Sequence, residues 1–312
     1  MTRHVKVSTL AAVMPPTQHG ILPAAVDQMV DYWRDNLSQV LPDQPDLVVT
    51  PEICDVCRAI PDEQVPDYLR VRGTRLLDLF CETAKQHNCY IAYSAYREFG
   101  EETWLNTIHM IDRNGDLAGT YDKNHPTEGE MTMGCIPGAD GPLIECDFGS
   151  VAGAICFDLN FDRLRLQYVK SRPDMVLFTS VYHGGLMQKY WAYSCRTHFV
   201  SCIGGAEFKP SHIIAPNGRT LASSTNYTNF ATTTINLDCA VVHFDYHNEK
   251  FEAMKQKYGP EVQIDDTGHL AAVLITSESD ARTVNDLLEE FEITRLDDYL
   301  ARAEAAQVAK RL

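Results

Sequence analysis

The sequence predicts an α/β fold of the mixed-sheet kind, a four-layer αββα sandwich. Three observations point there. Apolar, β-branched runs alternate with segments whose apolar residues recur at helical spacing. Asn114-Gly115 and Asn217-Gly218 each sit between two strand-like runs, a tight-hairpin signal. Two stretches also echo one another. Pro45-Asp-Leu-Val-Val-Thr50 resembles Pro173-Asp-Met-Val-Leu-Phe-Thr179, and the run from Ile108 to Gly119 resembles the run from His212 to Ala222. The spacing of the echoes differs, which suggests two related halves rather than a solenoid.

Element by element, residues 5–12 form a first buried strand. Val26, Met29, Val30, Trp33 and Leu37 predict a helix over 24–41. Residues 46–50 make a short strand between two prolines. Leu69, Leu76, Leu77, Leu79 and Phe80 predict a helix over 66–88, followed by a strand over 89–97. Strands 104–112 and 116–121 form the first hairpin. The second round runs through strands 143–148 and 151–156, helix 161–171, strand 174–180, helix 187–200, strand 199–206 and the hairpin 212–215 with 219–222. Val284, Leu287, Leu288 and Phe291 give the last stretch, 279–312, the character of a docking helix, a C-terminal extension to a single domain over 1–278.

The chain has 312 residues and a formal net charge of −16. Such a surface argues against nucleic acid and anionic membrane as partners, since phosphate binding needs clustered Lys and Arg. No run approaches 18 apolar residues, so no transmembrane helix is expected. The N-terminus lacks the long apolar core of a signal peptide, which makes a cytoplasmic location the expectation. Ten cysteines in that setting read as free thiols. Cys54-Asp-Val-Cys57 is a lone CxxC with no second pair, so no metal site is expected.

Cys156 closes the apolar run Val151-Ala-Gly-Ala-Ile-Cys156 and precedes a helical segment. A strand-to-helix elbow exposes its side chain and frees backbone N–H groups for an oxyanion; a buried structural thiol is the competing reading. Glu52 ends Val48-Val-Thr-Pro-Glu52, where a carboxylate is costly unless paired or used; a capping residue is the plain alternative. Lys123 lies in the polar segment Tyr121-Asp-Lys-Asn-His-Pro-Thr-Glu-Gly-Glu130, which reads as a loop where a lysine is ordinarily solvated.

Taken together, Val-Thr-Pro-Glu52, then Tyr-Asp-Lys123 with Pro126-Thr127 and Glu130, then Gly153-Ala-Ile-Cys156-Phe-Asp resemble the nitrilase superfamily of carbon–nitrogen hydrolases in order, spacing and context. The run Ser211–Ala222 resembles the hairpin that follows that family's nucleophile, and the likeness covers about residues 4–245. The resemblance implies an αββα subunit, a homodimer built through helices flanking the catalytic region, and a Glu–Lys–Cys triad aided by a second glutamate. It makes Cys156 the nucleophile, Glu52 the general base and Lys123 the oxyanion stabiliser, together with the backbone N–H of Phe157. Glu130 becomes the helper carboxylate, with Glu128 a nearby alternative. No metal or organic cofactor is implied.

After the nucleophile the chain reads Phe-Asp-Leu-Asn-Phe-Asp, unlike the Trp-Glu-Asn of true nitrilases and closer to the amidase and carbamoylase branches. The implied substrate is therefore a small linear amide or ureido compound, with nitriles, or a non-catalytic role on the same fold, as alternatives. Position 162 is Asp where the family commonly has proline, and Ser194-Cys-Arg-Thr-His-Phe-Val200 departs from the family's usual helix. His183, after a buried strand, is a candidate substrate contact or a satisfied loop histidine. Arg163 and Arg165 could hold a substrate carboxylate or simply face solvent.

Overall fold

The computed structural model describes residues 3–11, 21–57, 60–205 and 207–311. The chain begins with β1 (His4–Leu10), α1 (Leu22–Val40) and β2 (Leu47–Val49). Helices α2 (Val65–Arg72) and α3 (Arg75–His87) lead to β3 (Tyr90–Gly100), β4 (Thr103–Ile111) and β5 (Leu117–Asp122). A short helix α4 (Glu128–Thr132) precedes β6 (Ile144–Cys146) and β7 (Gly149–Ile155). Then follow α5 (Asp162–Ser171), β8 (Met175–Ser180), α6 (Leu186–Cys195), β9 (His198–Ile203), β10 (His212–Ile214), β11 (Thr220–Ser223) and β12 (Phe230–Asn236). The C-terminal part contains β13 (Cys239–His243), α7 (Asn248–Tyr258), β14 (Val262–Asp265), β15 (Ala272–Ser277), α8 (Val284–Glu290) and α9 (Leu296–Val308).

Two six-stranded sheets, ordered β12-β1-β2-β3-β4-β5 and β11-β10-β9-β8-β7-β6, form the middle layers of an αββα sandwich. Each has three parallel strands at its centre, β1-β2-β3 or β7-β8-β9, flanked by antiparallel ones. The echoed segments occupy equivalent places: β2 and β8 are the middle parallel strands, and β4-β5 and β10-β11 are the outer hairpins.

The pleat sorts residues between layers. On β2, Leu47 and Val49 join the core shared with Ala152, Ala154 and Val176 of the facing sheet. Val48 points the other way, into the layer built by Trp33 of α1 and Phe80 of α3. Helices α5 and α6 cover the opposite face through Leu164, Tyr168 and Trp191. Between the sheets, Ser94 and Thr179 hydroxyls meet at 3.1 Å, so even this buried polar contact is paired.

The expected helix over 66–88 is two helices. Gly73, at φ +51°, breaks it in a conformation glycine tolerates and other residues resist. The expected overlap of helix and strand at 199–200 resolves in favour of the strand, because α6 stops at Cys195 and Arg196 turns left-handed. The expected limits at 12, 206 and 312 fall outside the described residues. Strand β12, with its run of threonines, and the three-stranded sheet β13-β15-β14 were not anticipated. That sheet packs with α7 and α8 around Val242, Phe251, Val273, Ile275 and Leu287, so residues on both sides of position 279 share one core. Among the described residues no helix is long and apolar enough to cross a membrane.

Candidate active site

Glu52 follows β2, Lys123 follows β5 and Cys156 follows β7, so three strand ends deliver the candidate residues. Lys123 Nζ donates to Glu52 Oε1 at 2.8 Å and to both oxygens of Glu130 at 2.8 Å. The Cys156 thiol lies close enough to Glu52, Lys123 and Ser180 for each to bear on its ionisation. Lys123 is 1 % exposed, Glu52 2 % and Cys156 9 %. Lys123, although it lies in a polar segment where a lysine is ordinarily solvated, is thus buried between two carboxylates.

Local backbone structure explains each placement. The Glu52 turn is held by Cys54 N–H on Ser94 O at 2.9 Å and by Trp33 Nε1–H on Cys54 O at 2.7 Å. Behind it, the buried Asp55 carboxylate accepts from Arg72 Nη1 at 2.5 Å and from the Tyr93 hydroxyl. Glu130 closes a capping box on α4. Its Oε2 accepts from Thr127 N–H at 2.8 Å, while Thr127 Oγ1 accepts from Glu130 N–H at 3.3 Å. One carboxylate thereby starts a helix and grips the lysine.

Cys156 has φ +47°, a strained conformation for a residue with a Cβ. It opens a 3₁₀ turn, Cys156–Asn160, whose centre is the fully buried Asp158. Asp158 Oδ2 accepts from Ile155 N–H at 2.9 Å and from the Tyr121 hydroxyl at 2.7 Å. Asp158 Oδ1 accepts from the His125 backbone N–H and faces His125 Nδ1, both at 2.8 Å. The surrounding bonds therefore over-determine the strained turn.

The electrostatics divide the two glutamates. Burial pushes the Glu52 carboxyl above its ordinary pKa, and Lys123 only partly offsets this. Burial also pushes Glu130 upward, but the Lys123 charge and bond, with Thr127, outweigh it and hold Glu130 below the ordinary value. Burial would lower Lys123, yet Glu52 and Glu130 overcome that and keep it charged. Burial, then the Glu52 charge, raises the Cys156 thiol to about 12.

The structure brings Glu52, Lys123, Glu130 and Cys156 together. Glu128 is exposed on α4, outside that cluster. Phe157 follows the candidate nucleophile, 38 % exposed, with its ring edge-on to Phe161 at 5.2 Å. His183 is half-buried, its Nε2 3.1 Å from His212 Nε2, and among the described residues no hydrogen bond joins it to the carboxylate cluster. Arg163 is exposed; Arg165 is bonded to Asp162 and lies over the Tyr190 ring. All ten cysteines are free, and Cys54 and Cys57 are buried. Among the described residues no three His, Cys, Asp or Glu side chains are grouped to hold a metal ion.

Sequence reading missed three contributors. Asn106 Nδ2 donates to Glu52 Oε1 at 2.9 Å and to Glu130 Oε1 at 3.0 Å, tying the carboxylates from β4. An amide inside Trp104-Leu-Asn-Thr-Ile-His-Met-Ile111 was the available signal, since a buried polar group must find partners. Ser180 ends β8 beside the thiol, and the Val181 N–H donates to Glu52 Oε2 at 3.2 Å. The backbone contact of Val181 has no sequence signature.

Residues 9–241 match the carbon-nitrogen hydrolase family. A deaminated glutathione amidase of Bos taurus is 25 % identical over 172 residues, 49 % of this chain and 51 % of that protein. A beta-ureidopropionase of Arabidopsis thaliana is 28 % identical over 153 residues, 44 % of this chain and 37 % of that protein. The chain thus spans about half or less of the length of these curated relatives. Among solved structures, an amidase from Nesterenkonia sp. AN1 superposes with TM-score 0.65 at 14 % identity, covering 80 % of this chain and 99 % of that one. Saccharomyces cerevisiae Nit3, of the nitrilase superfamily, superposes with TM-score 0.63 at 15 % identity, covering 82 % and 95 %. At such identities these superpositions speak for the fold.

Proposed function

This chain belongs to the carbon-nitrogen hydrolase family, and from that premise we propose that it hydrolyses a small linear amide or N-carbamoyl compound through a thioester on Cys156. The observation that carries the reading is the Lys123 ammonium buried between Glu52 and Glu130, with the Cys156 thiol close enough to Glu52 for that carboxylate to raise it.

The chemistry follows from the charges. A thiol held near 12 is about one part in 10⁵ thiolate at neutral pH, so it cannot attack as a free anion. Glu52, its affinity for protons raised by burial, takes the thiol proton as Sγ bonds to the substrate carbon. The carbonyl oxygen becomes an oxyanion, which Lys123 and the Phe157 N–H stabilise. Glu52 then gives the proton to the departing ammonia or amine. Water, activated by Glu52, attacks the thioester and returns the thiol. Glu130, kept ionised, holds Lys123 in place. The relatives' names, an amidase and a ureidopropionase, favour amide or ureido substrates over nitriles.

The same reading makes the subunit a homodimer through α5 and α6, which expose Leu166 and Leu186, the latter 77 % exposed. The test of function is intact-mass spectrometry during incubation with amides, ureido acids and nitriles. An acyl adduct on Cys156 that builds up with amides or ureido acids supports the reading. Turnover of nitriles alone, or no adduct and no turnover with any class, defeats it.

A further inference from the structure

We propose that Lys209 recognises a carboxylate on the substrate, so that the compound hydrolysed is an amide or ureido derivative of an acid. This deepens the function proposed above and rests on it.

Lys209 Nζ donates to Val181 O at 3.0 Å, and the N–H of that same residue holds Glu52. One residue therefore links the lysine to the proposed base. Among the described residues no carboxylate forms an ion pair with Lys209, although acidic residues outnumber Lys and Arg by 43 to 27. Burial and then the Lys209 charge lower His183, while burial, His183 and Lys189 lower His212 to about 4. Gly185 N–H donates to His183 Nδ1, so His183 Nε2 carries the hydrogen and donates to His212 Nε2. Both rings are thereby fixed as neutral partners, and the lysine is left as the group free to exchange its carbonyl for an anion.

The inner cluster supplies the reason for such a group. Glu52 and Glu130 set two carboxylates against the one ammonium of Lys123. A neutral amide approaches that cluster without penalty. A carboxylated substrate is repelled unless a cation stands beside the approach. Arg163 and Arg165 do not supply it: the first is exposed on α5 and the second is committed to Asp162 and Tyr190.

The experiment compares N-ethylmaleimide with 3-maleimidopropionate, its carboxylated counterpart, by measuring the rate at which each labels Cys156 by peptide mass spectrometry. Lys209→Met should lower the acid-to-neutral rate ratio about tenfold, as loss of a charge-assisted bond implies. Lys209→Arg should restore most of it, and added salt should shrink the wild-type ratio. A ratio that moves less than about twofold in Lys209→Met, on this tenfold scale, overturns the proposal while leaving the nucleophile intact. If neither reagent labels Cys156 faster than the buried Cys202, the nucleophile assignment itself fails, a separate and recognisable result.

Discussion

The Asp158 carboxylate is joined to His125 twice through one oxygen, at 2.8 Å to the backbone nitrogen and at 2.8 Å to the ring. An ionised carboxylate only accepts, so the His125 ring presents Nδ1–H. The Cys156 turn and the Lys123 segment, far apart in the chain, are thereby fixed to each other. Asp158→Asn places an amide where four donors converge. It should cost about 2–4 kcal/mol of stability and slow maleimide labelling of Cys156. Urea denaturation and labelling kinetics check both; unchanged labelling would deny that Asp158 positions the thiol.

Glu52→Gln keeps the side-chain shape but removes the proton acceptor. Turnover should fall by about 10²–10⁴, with folding preserved by circular dichroism. Wild-type activity should decline as pH falls through the raised Glu52 pKa, since the base must be ionised. In the variant that acid limb should disappear from the residual rate. A limb that persists would mean another group controls it.

Arg72 and Asp55 form an ion pair with Arg72 8 % exposed and Asp55 fully buried. Asp55→Leu alone strands a buried guanidinium and should cost about 3–5 kcal/mol. Adding Arg72→Met should recover much of that loss. A double variant no more stable than the single, measured by urea titration, would contradict the pairing.

Stability should fall on acidification between about 6.5 and 4. Burial lowers His109 and His198 to about 4, whereas the unfolded chain has the ordinary value of 6.5. The unfolded state binds protons first, so the stability gained from neutral rings is present above 6.5 and lost as pH drops towards 4. The slope is about 1.4 kcal/mol per pH unit for each ring. Glu52 acts in the opposite sense, because its raised pKa makes the folded state the better proton acceptor. Urea titrations at stepped pH should show a shallower slope for His109→Phe than for the unmodified chain.

A Cβ at Gly153 would stand 2.4 Å from the Tyr121 ring. That ring is fully buried and bonded to Asp158, so it cannot yield. Gly153→Ala should cost about 1–3 kcal/mol and weaken the Cys156 turn with it. A melting temperature within a degree of wild type, on the usual scale of about 2–4 °C per kcal/mol, would refute the contact.

Much of the fold was legible because short-range periodicity is written locally. Leu47, Val48 and Val49 needed only their β-branched run between two prolines to be read as a strand, and Asn114-Gly115 only its turn chemistry. The echo of 45–50 in 173–179 pointed to paired halves, and β2 and β8 hold matching places in the two sheets. Gly73 was not read as a break, because helical spacing continues on both sides of it. Strand β12 was missed because Thr232, Thr233 and Thr234 resemble a polar loop until they lie beside β1.

The sequence by itself determined the family resemblance, the layered architecture and the identities of Glu52, Lys123, Glu130 and Cys156 as candidates, since order, spacing and residue type are properties of the chain. Only the tertiary structure decided that Lys123 is buried between carboxylates, that Glu130 rather than Glu128 grips it, and that Asn106, Ser180 and the backbone of Val181 complete the cluster. The reason is physical. Hydrogen bonds and pKa shifts depend on ångström distances and burial among groups as much as 129 residues apart, and no local pattern records them.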